Sequence, residues 1–224
     1  MENKRHILNG LWDRERLNMK KRDTVIVIVV VSICAVLTAM AMIFAVSLPV
    51  ISYLTSGVEE TTEKSKYNDV IGKNAKEEYK NKWGFDESIF PSSIKGLDGV
   101  KDFKMVYYNP WDAQYLAYLV VDYNSEEYQK EVERLTSYGI SEYEGYYGVS
   151  GFTNYRLLAM EADDYNGFIY AITDDNNRII YVEIIFCNYF MDLDYEKYID
   201  TKYLPDGFNA KIDNPYQKLK MKER

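Results

Sequence analysis

The longest apolar run in the chain, residues 25–46, contains 22 residues and no charged side chain. As an α-helix that rises about 1.5 Å per residue, it would be roughly 33 Å long, which is enough to cross a hydrocarbon core of about 30 Å. The run is too long for an ordinary strand, and a helix satisfies its own backbone hydrogen bonds in lipid. The sequence therefore predicts a transmembrane helix over residues 24–48.

Basic side chains are concentrated before this run. Seven Lys and Arg residues occur among the first 22 residues, whereas the first ones after the run are Lys64, Lys66 and Lys73. Segments rich in Lys and Arg stay on the cytoplasmic side of a membrane. The pattern predicts a single-pass protein of the cell membrane, with a cytoplasmic basic tail over residues 1–23 and a C-terminal domain outside.

A cleaved signal peptide is the alternative interpretation of the same run. The tripeptides Ala39-Met40-Ala41 and Ala45-Val46-Ser47 both match the small-x-small pattern of a cleavage site. The long region before the run, and the apolar sequence after the first of these sites, favour an anchor that remains in the lipid bilayer. Cleavage stays open on the sequence alone.

The charge of the chain is divided unequally. Residues 1–24 carry seven basic and four acidic side chains, and the remaining residues carry 20 basic and 31 acidic side chains. A net charge of +3 in the tail therefore precedes a net charge of −11. An acidic outer domain repels phosphate, so nucleic acid is excluded as a partner. The abundance of Tyr, Lys, Asn and Ile favours an envelope protein of Gram-positive type.

Cysteine and histidine limit the chemistry that is open to the outer domain. Cys34 lies in the apolar run and Cys187 is the one cysteine after it, so the outer domain forms no internal disulfide. The sole histidine, His6, lies in the basic tail, which excludes Ser-His-Asp and Cys-His hydrolases and His-ligated zinc sites from the outer domain.

Motifs for metals and phosphates are also missing. Asp192, Asp194 and Glu196 alternate as in a calcium loop, but Lys197 stands where an EF-hand requires Gly. No Gly-x-Gly-x-x-Gly or Walker-type loop occurs in the sequence. We therefore expect neither a metal nor another cofactor.

Hydrophobic periodicity after residue 101 predicts an α+β domain over residues 101–213. Asn124, with Glu127 three residues later, matches the start of a helix over residues 125–138, and Gly139 lies just past its end. Two strands precede this helix and three follow it, and the strands 115–123 and 178–189 are apolar on both faces, as in the centre of a sheet. The predicted strands are 103–107, 115–123, 155–162, 168–173 and 178–189. The order β-β-α-β-β-β predicts an antiparallel sheet of about five strands with one main helix packed on it.

The segments on either side of this domain look less regular. Residues 49–100 predict a flexible stalk, then a short helix with Ile71, Ala75 and Tyr79 on one face, then a loop rich in Pro, Gly and Ser. Residues 214–224 predict a frayed tail.

Two carboxylates are candidate catalytic groups. Glu183 lies between Val182 and Ile184 in a strand that is predicted to be buried, where a carboxylate needs a basic partner or acquires a raised pKa. With Glu161 on a neighbouring strand it could form the acid–base pair of a glycosidase. The alternative is an outward-facing or Arg-paired Glu, and we favour it, because structural ion pairs perturb carboxylates as well.

Aromatic residues in a glycine-rich segment are the candidate ligand-binding residues. They are Tyr143, Tyr146, Tyr147 and Phe152. Exposed aromatic rings flanked by acidic residues suit a sugar, a cation or a protein partner. In the alternative, the segment folds down and the rings cover the sheet.

These features favour a non-enzymatic binding module of the cell envelope, whose partner is an envelope protein or a cell-wall glycan. A carboxylate-dependent glycan hydrolase that uses Glu183 and Glu161 is the first alternative. A signalling anchor with a cytoplasmic partner is the second.

Overall fold

The computed structural model describes residues 30–47, 57–80, 82–141, 151–163, 166–186 and 190–222. The chain divides into two compact units at residues 54 and 55. The first unit contains helix α1 (Val30–Ser47), which has a mean hydropathy of 2.4 and is long and apolar enough to cross a membrane. A signal sequence near an N-terminus has the same length and composition, so cleavage stays open.

The second unit is built on one antiparallel sheet of six strands. The strands are β1 (Val58–Thr61), β2 (Val100–Tyr108), β3 (Gln114–Asp122), β4 (Arg156–Asp163), β5 (Gly167–Thr173) and β6 (Arg178–Ile185). Their spatial order is β1-β2-β3-β6-β5-β4. The predicted α+β class is confirmed, and the two strands with apolar residues on both faces, β3 and β6, lie together at the centre of the sheet.

Helices and single turns cover both faces of this sheet. The helices are α2 (Tyr67–Val70), α3 (Glu77–Lys80), α4 (Ser125–Thr136) and α5 (Pro215–Lys222), and 3₁₀ turns occur at Lys64–Lys66, Glu87–Ile89, Tyr195–Lys197 and Thr201–Tyr203. Helix α4 begins as predicted, because the Asn124 side chain accepts a hydrogen bond of 2.9 Å from the Glu127 N–H. Gly139, with a φ of 81°, follows its last turn.

Side chains alternate along the strands, so the sheet has a separate hydrophobic core on each face. The first face is covered by residues 64–97 and α4, and its core includes Tyr67, Ile71, Phe90, Phe103, Tyr115, Tyr128, Leu135 and Tyr181. The second face is covered by residues 190–210, and its core includes Leu116, Phe168, Tyr170, Val182, Met191, Leu193 and Ala210.

The structure differs from the sequence prediction between residues 49 and 100. The second compact unit begins at Thr55 rather than near residue 101, and β1, in the predicted stalk, pairs with β2 at the edge of the sheet. Three of the four residues of β1 are exposed, so the strand has no apolar alternation that a sequence pattern could reveal. The predicted short helix is interrupted, although Ile71, Ala75 and Tyr79 are buried as its stripe predicted.

The C-terminal residues also differ from the predicted frayed tail, because residues 215–222 form α5. Pro215 is its first residue, a position where its missing N–H costs no hydrogen bond. The Asn214 side chain accepts from the Gln217 N–H at 2.9 Å, and the Gln217 side chain accepts from the Asp213 N–H at 2.8 Å. These reciprocal bonds satisfy backbone donors at the start of the helix.

Candidate functional site

Glu183 lies in the middle of β6 and is completely buried, with 0% of its side chain exposed. In the sheet register it is opposite Ala117 of β3 and Ile169 of β5. Ala117 and Ile169 belong to the first core, so the carboxylate lies beneath residues 64–97. A charged group in this position has lost its hydration and requires a partner.

That partner is Lys82, which follows α3. Its ammonium group donates to Glu183 Oε1 at 2.8 Å, to the Val70 carbonyl at 3.2 Å and to Glu87 Oε1. An ammonium group has three protons, so these three acceptors satisfy it completely. The Tyr115 ring centroid lies 5.3 Å from Nζ and adds a cation–π contact.

Lys82 remains charged despite its burial. Desolvation alone lowers the pKa of a buried ammonium group, but the carboxylates of Glu183 and Glu87 outweigh it, and the pKa of Lys82 is raised. One positive charge therefore stands between two carboxylates beneath the surface.

Burial raises the pKa of Glu183 well above its ordinary value, and repulsion from Glu87 raises it further, while Lys82 offsets part of the effect. Its second oxygen, Oε2, is buried without a hydrogen-bond partner among the described residues. Because one ammonium group balances only one carboxylate, burial and the nearby Glu87 shift Glu183 towards its protonated form.

Glu87 connects this cluster to the surface. It begins the turn Glu87–Ile89, and its Oε2 accepts a hydrogen bond of 2.7 Å from the Gly72 N–H. Its side chain is 9% exposed, and the exposed part lies in the wall of a cleft. Glu87 is therefore the member of the cluster that keeps some contact with solvent.

The cleft has a volume of about 1020 Å³ and lies between residues 68–97 and α4. Ligand pockets in proteins usually enclose about 300–1000 Å³, so this cleft is at the upper end of that range. Its walls carry aromatic rings, amides and hydroxyls beside charged groups.

Arg134 of α4 holds the two walls of the cleft together. Its guanidinium donates to both carboxylate oxygens of Glu131 at 2.8 and 2.6 Å, and to the Ser88 and Ile89 carbonyls at 2.7 and 2.8 Å. A fifth bond of 3.2 Å goes to the Tyr138 hydroxyl. All five donors are in use, so Arg134 shapes the cleft and has no donor left for a ligand.

Glu131 is also the final acceptor of a series of hydrogen-bonded hydroxyl groups at the inner wall. It accepts a bond of 2.6 Å from the Tyr181 hydroxyl, which lies 2.8 Å from the Tyr123 hydroxyl. Burial raises the pKa of Tyr181 well above its ordinary value, so its phenol is neutral. These bonds join β3, β6 and α4 and make the inner wall of the cleft rigid.

The two candidate catalytic carboxylates are on the same face of the sheet but are not in contact. Glu161 and Glu183 both stand opposite Ile169, on either side of β5, which separates their backbones by about 10 Å. Glu161 is half-buried, its pKa is raised by burial, and it accepts from the Asp86 N–H at 3.3 Å. Lys82 and Glu87 cover Glu183, so a substrate has no access to its carboxyl group.

The candidate aromatic residues fall into two groups. Tyr143, Tyr146 and Tyr147 lie outside the described residues. Phe152 packs against Tyr170 with ring centroids 5.1 Å apart, at the margin of the second core. For Phe152 this is the arrangement expected if the segment folds onto the sheet. Among the described residues, no three His, Cys, Asp or Glu side chains are grouped to hold a metal.

Lys82, Glu87 and Arg134 were not predicted as site residues. The signal for Lys82 was its place at the end of the stripe formed by Ile71, Ala75 and Tyr79, where a basic residue at an apolar position indicates a buried partner. Glu87 and Arg134 had no such signal, because both lie among polar residues.

Comparisons with protein family models, with curated proteins and with solved structures gave no match to this chain.

Proposed function

We propose that this chain is a single-pass protein of the cell membrane whose C-terminal domain lies outside and binds an uncharged saccharide of the cell envelope. The observation that carries the proposal is the cleft between residues 68–97 and α4. The cleft is rigid because Arg134 bridges its walls and the cluster of Lys82, Glu87 and Glu183 fixes its floor to the sheet.

The charge of the cleft supports an uncharged ligand. Among the described residues, its lining has three basic side chains and three acidic ones, namely Lys73, Lys80, Arg134, Asp86, Glu87 and Glu131. The lining is thus neutral, although the chain has a net charge of −8. An ionic ligand would gain nothing from electrostatic complementarity in such a cleft.

The other lining groups suit a sugar. Tyr123 and Tyr138 supply aromatic rings, on which the C–H face of a pyranose can stack. Asn68, Asn74 and Ser92 supply amide and hydroxyl groups, which can exchange hydrogen bonds with sugar hydroxyls. The described part of the cleft lining contains no His or Cys that could act as a nucleophile, which favours binding over catalysis.

The cleft assignment predicts that Asn74→Trp abolishes saccharide binding. Asn74 is exposed at the rim of the cleft, so an indole there occupies the ligand's space without disturbing the core. The full chain in lipid nanodiscs should bind at least one of chitotetraose, cellotetraose and maltotetraose in calorimetric titrations. We expect the dissociation constant to rise roughly tenfold or more in the variant, which is about 1.4 kcal/mol or more of binding free energy.

The matched control is Lys130→Trp, which places the same side chain on an exposed position of α4 outside the cleft. It should bind as the unmodified protein does. Equal affinity in Asn74→Trp and Lys130→Trp would reject the cleft as the binding site, and no binding of any of the three saccharides would reject the ligand class.

The orientation predicts that protease added to intact cells removes the C-terminal domain. A tag at the C-terminus should be lost, whereas a tag at the N-terminus should persist until the membrane is permeabilised, because the basic tail stays on the cytoplasmic side. Immunoblots of the two tags measure both outcomes. A protected C-terminal tag would reverse the orientation, and recovery of the domain from the medium would indicate a cleaved signal peptide.

A further inference from the structure

One end of the sheet carries an unusual number of exposed apolar and aromatic side chains. Strand β1 begins at this end, where Val58 pairs with Tyr108, and Tyr108 pairs with Gln114 across the turn between β2 and β3. We call it the Val58 end. It is the end at which the chain enters the sheet from the segment that follows α1.

Two tryptophans are exposed at the Val58 end. Trp111, in the turn between β2 and β3, is 55% exposed. Trp83 is 42% exposed, and its indole N–H donates to the carbonyl of Ala113 in the same turn at 3.2 Å. Trp83 also has a φ of 58°, a left-handed conformation that is rare for a bulky residue. The fold therefore holds this ring at the surface at some conformational cost.

Helix α5 begins at the same end, but from the other face of the sheet. Gln114 Oε1 accepts a bond of 3.1 Å from the Leu193 N–H, which attaches residues 190–210 beside the turn between β2 and β3. The Met191 N–H donates to the Ala210 carbonyl at 2.7 Å. The chain therefore leaves the second core at Ala210, close to the Val58 end, and enters α5 five residues later.

The outer side of α5 is apolar and basic. Gln217 is buried against the domain, and the helical spacing of 100° per residue places Leu219 on the opposite side, with Tyr216 and Lys222 beside it. Leu219 is 56% exposed. Lys218 is exposed as well, so α5 presents apolar and basic groups together on a chain that is acidic overall.

This combination of groups fits the surface of a lipid bilayer. Tryptophan and tyrosine rings concentrate at the level of the headgroups, and a helix with Lys beside Leu lies in the interface and is attracted by anionic lipids. Ten residues, 48–57, separate the end of α1 from β1, and an extended chain of ten residues reaches at most about 35 Å. A bilayer that contains α1 is therefore within reach of the Val58 end.

We propose that the Val58 end, through Trp83, Trp111 and α5, lies on the surface of the membrane that anchors the chain, and that anionic headgroups bind Lys218 and Lys222 of α5. This inference depends on the membrane anchor of the proposed function but not on the ligand of the cleft. With this end on the lipid, the opposite end of the sheet lies farthest from the membrane.

The test uses the full chain in nanodiscs, with an environment-sensitive fluorophore attached at Leu219→Cys after Cys34 and Cys187 are replaced by Ala. Nanodiscs contain either zwitterionic lipid alone or a mixture with anionic phosphatidylglycerol, and both contain a spin-labelled lipid that quenches on contact. We expect the fluorescence in the anionic nanodiscs to be at least twofold lower than in the zwitterionic nanodiscs. Lys218→Glu with Lys222→Glu should abolish the loss, because the attraction to headgroups is reversed.

The matched control is the same fluorophore at Glu126→Cys, at the start of α4. Strand β3 ends at Asp122, so Glu126 lies at the opposite end of the sheet, about 30 Å from the Val58 end by the length of that strand. The control should not be quenched. An unquenched label at Leu219→Cys in protein that elutes with the nanodiscs would overturn the inference and leave the anchor intact. Protein that separates from the nanodiscs would overturn the anchor. A blue shift that depends on protein concentration, without quenching by lipid, would mean that the Val58 end binds a second copy of the chain and not the membrane.

Discussion

Replacing Lys82 with Met is expected to lower the free energy of unfolding by about 3–5 kcal/mol at neutral pH, which is typical of removing one partner from a buried ion pair. Met preserves most of the volume of the Lys stem, so the change removes the charge and its hydrogen bonds. The change removes the hydrogen-bond donor of three acceptors at the same time, namely Glu183 Oε1, Glu87 Oε1 and the Val70 carbonyl. A domain with a total stability of about 5–15 kcal/mol loses a large share of it.

Urea unfolding of the full chain in micelles, followed by tryptophan fluorescence, measures the effect, and Trp83 is the neighbour of the substituted residue. The control is Lys130→Met on α4, where the lysine is mostly exposed and pairs with Glu126 one turn away. Exposed pairs of that kind contribute about 0.5 kcal/mol. A loss below about 1 kcal/mol in Lys82→Met would mean that the buried cluster does not hold residues 64–97 on the sheet.

The double variant Lys82→Met/Glu183→Gln distinguishes a coupled cluster from two independent residues. Residues that share a hydrogen-bond network have interaction energies of about 0.5–3 kcal/mol, and distant residues have almost none. We therefore expect the double variant to be more stable than the sum of the two single changes predicts. Additive losses would show that Lys82 stabilises the fold through Glu87 and Val70 alone.

The sequence predicted much of the sheet, because the sheet follows from local patterns. Strands β3 and β6 are apolar on both faces, and this property alone placed them at the centre. The start of α4 was marked by a local signal, since Asn124 and Glu127 lie within the same four residues of the sequence. Where the periodicity was weak, as in the mostly exposed edge strand β1, the prediction failed, since a strand of that kind is defined by the backbone of its neighbour.

The candidate site was predictable only in part, for a related reason. The burial of Glu183 could be inferred from its apolar neighbours in β6, and with it the need for a base or a proton. The base itself could not be inferred, because Lys82 lies 101 residues earlier in the chain. Such a contact is determined by how residues 64–97 cross the sheet, which no local pattern encodes. The cleft likewise forms where residues 64–97 cross the sheet, so its lining residues could not be predicted from the sequence.

Glu183→Gln is expected to change how the stability of the protein depends on pH. The pKa of Glu183 is raised in the folded protein, mainly by burial, and has its ordinary value of about 4.3 in the unfolded chain. Below pH 4 both states hold the proton, so the titration costs no stability. As the pH rises above 4.3, the unfolded chain releases the proton and the folded protein retains it. The unmodified protein then loses about 1.4 kcal/mol per pH unit from this group, until the pH reaches the folded pKa.

Glutamine cannot titrate, so the variant lacks this loss. Its carbonyl can still accept from Lys82, but its amide N–H groups take the place of Oε2, which has no partner among the described residues, and this costs about 1–3 kcal/mol at every pH. The diagnostic quantity is therefore the difference in stability between variant and unmodified protein as a function of pH. As the pH rises above about 4.3, we expect this difference to shift in favour of the variant, by at most about 1.4 kcal/mol per pH unit.

Urea unfolding at half-unit steps between pH 4 and 8 measures the slope, and the titration of groups distant from the cluster cancels in the difference. Glu126→Gln serves as the control, because its carboxylate is mostly exposed and its substitution should give a nearly constant difference. A difference that is constant for Glu183→Gln, or that moves in favour of the unmodified protein as the pH rises, would mean that Glu183 is ionised in the folded state. The cluster would then carry a net negative charge beneath the cleft, and the floor of the cleft would attract a cation instead of accepting an uncharged sugar.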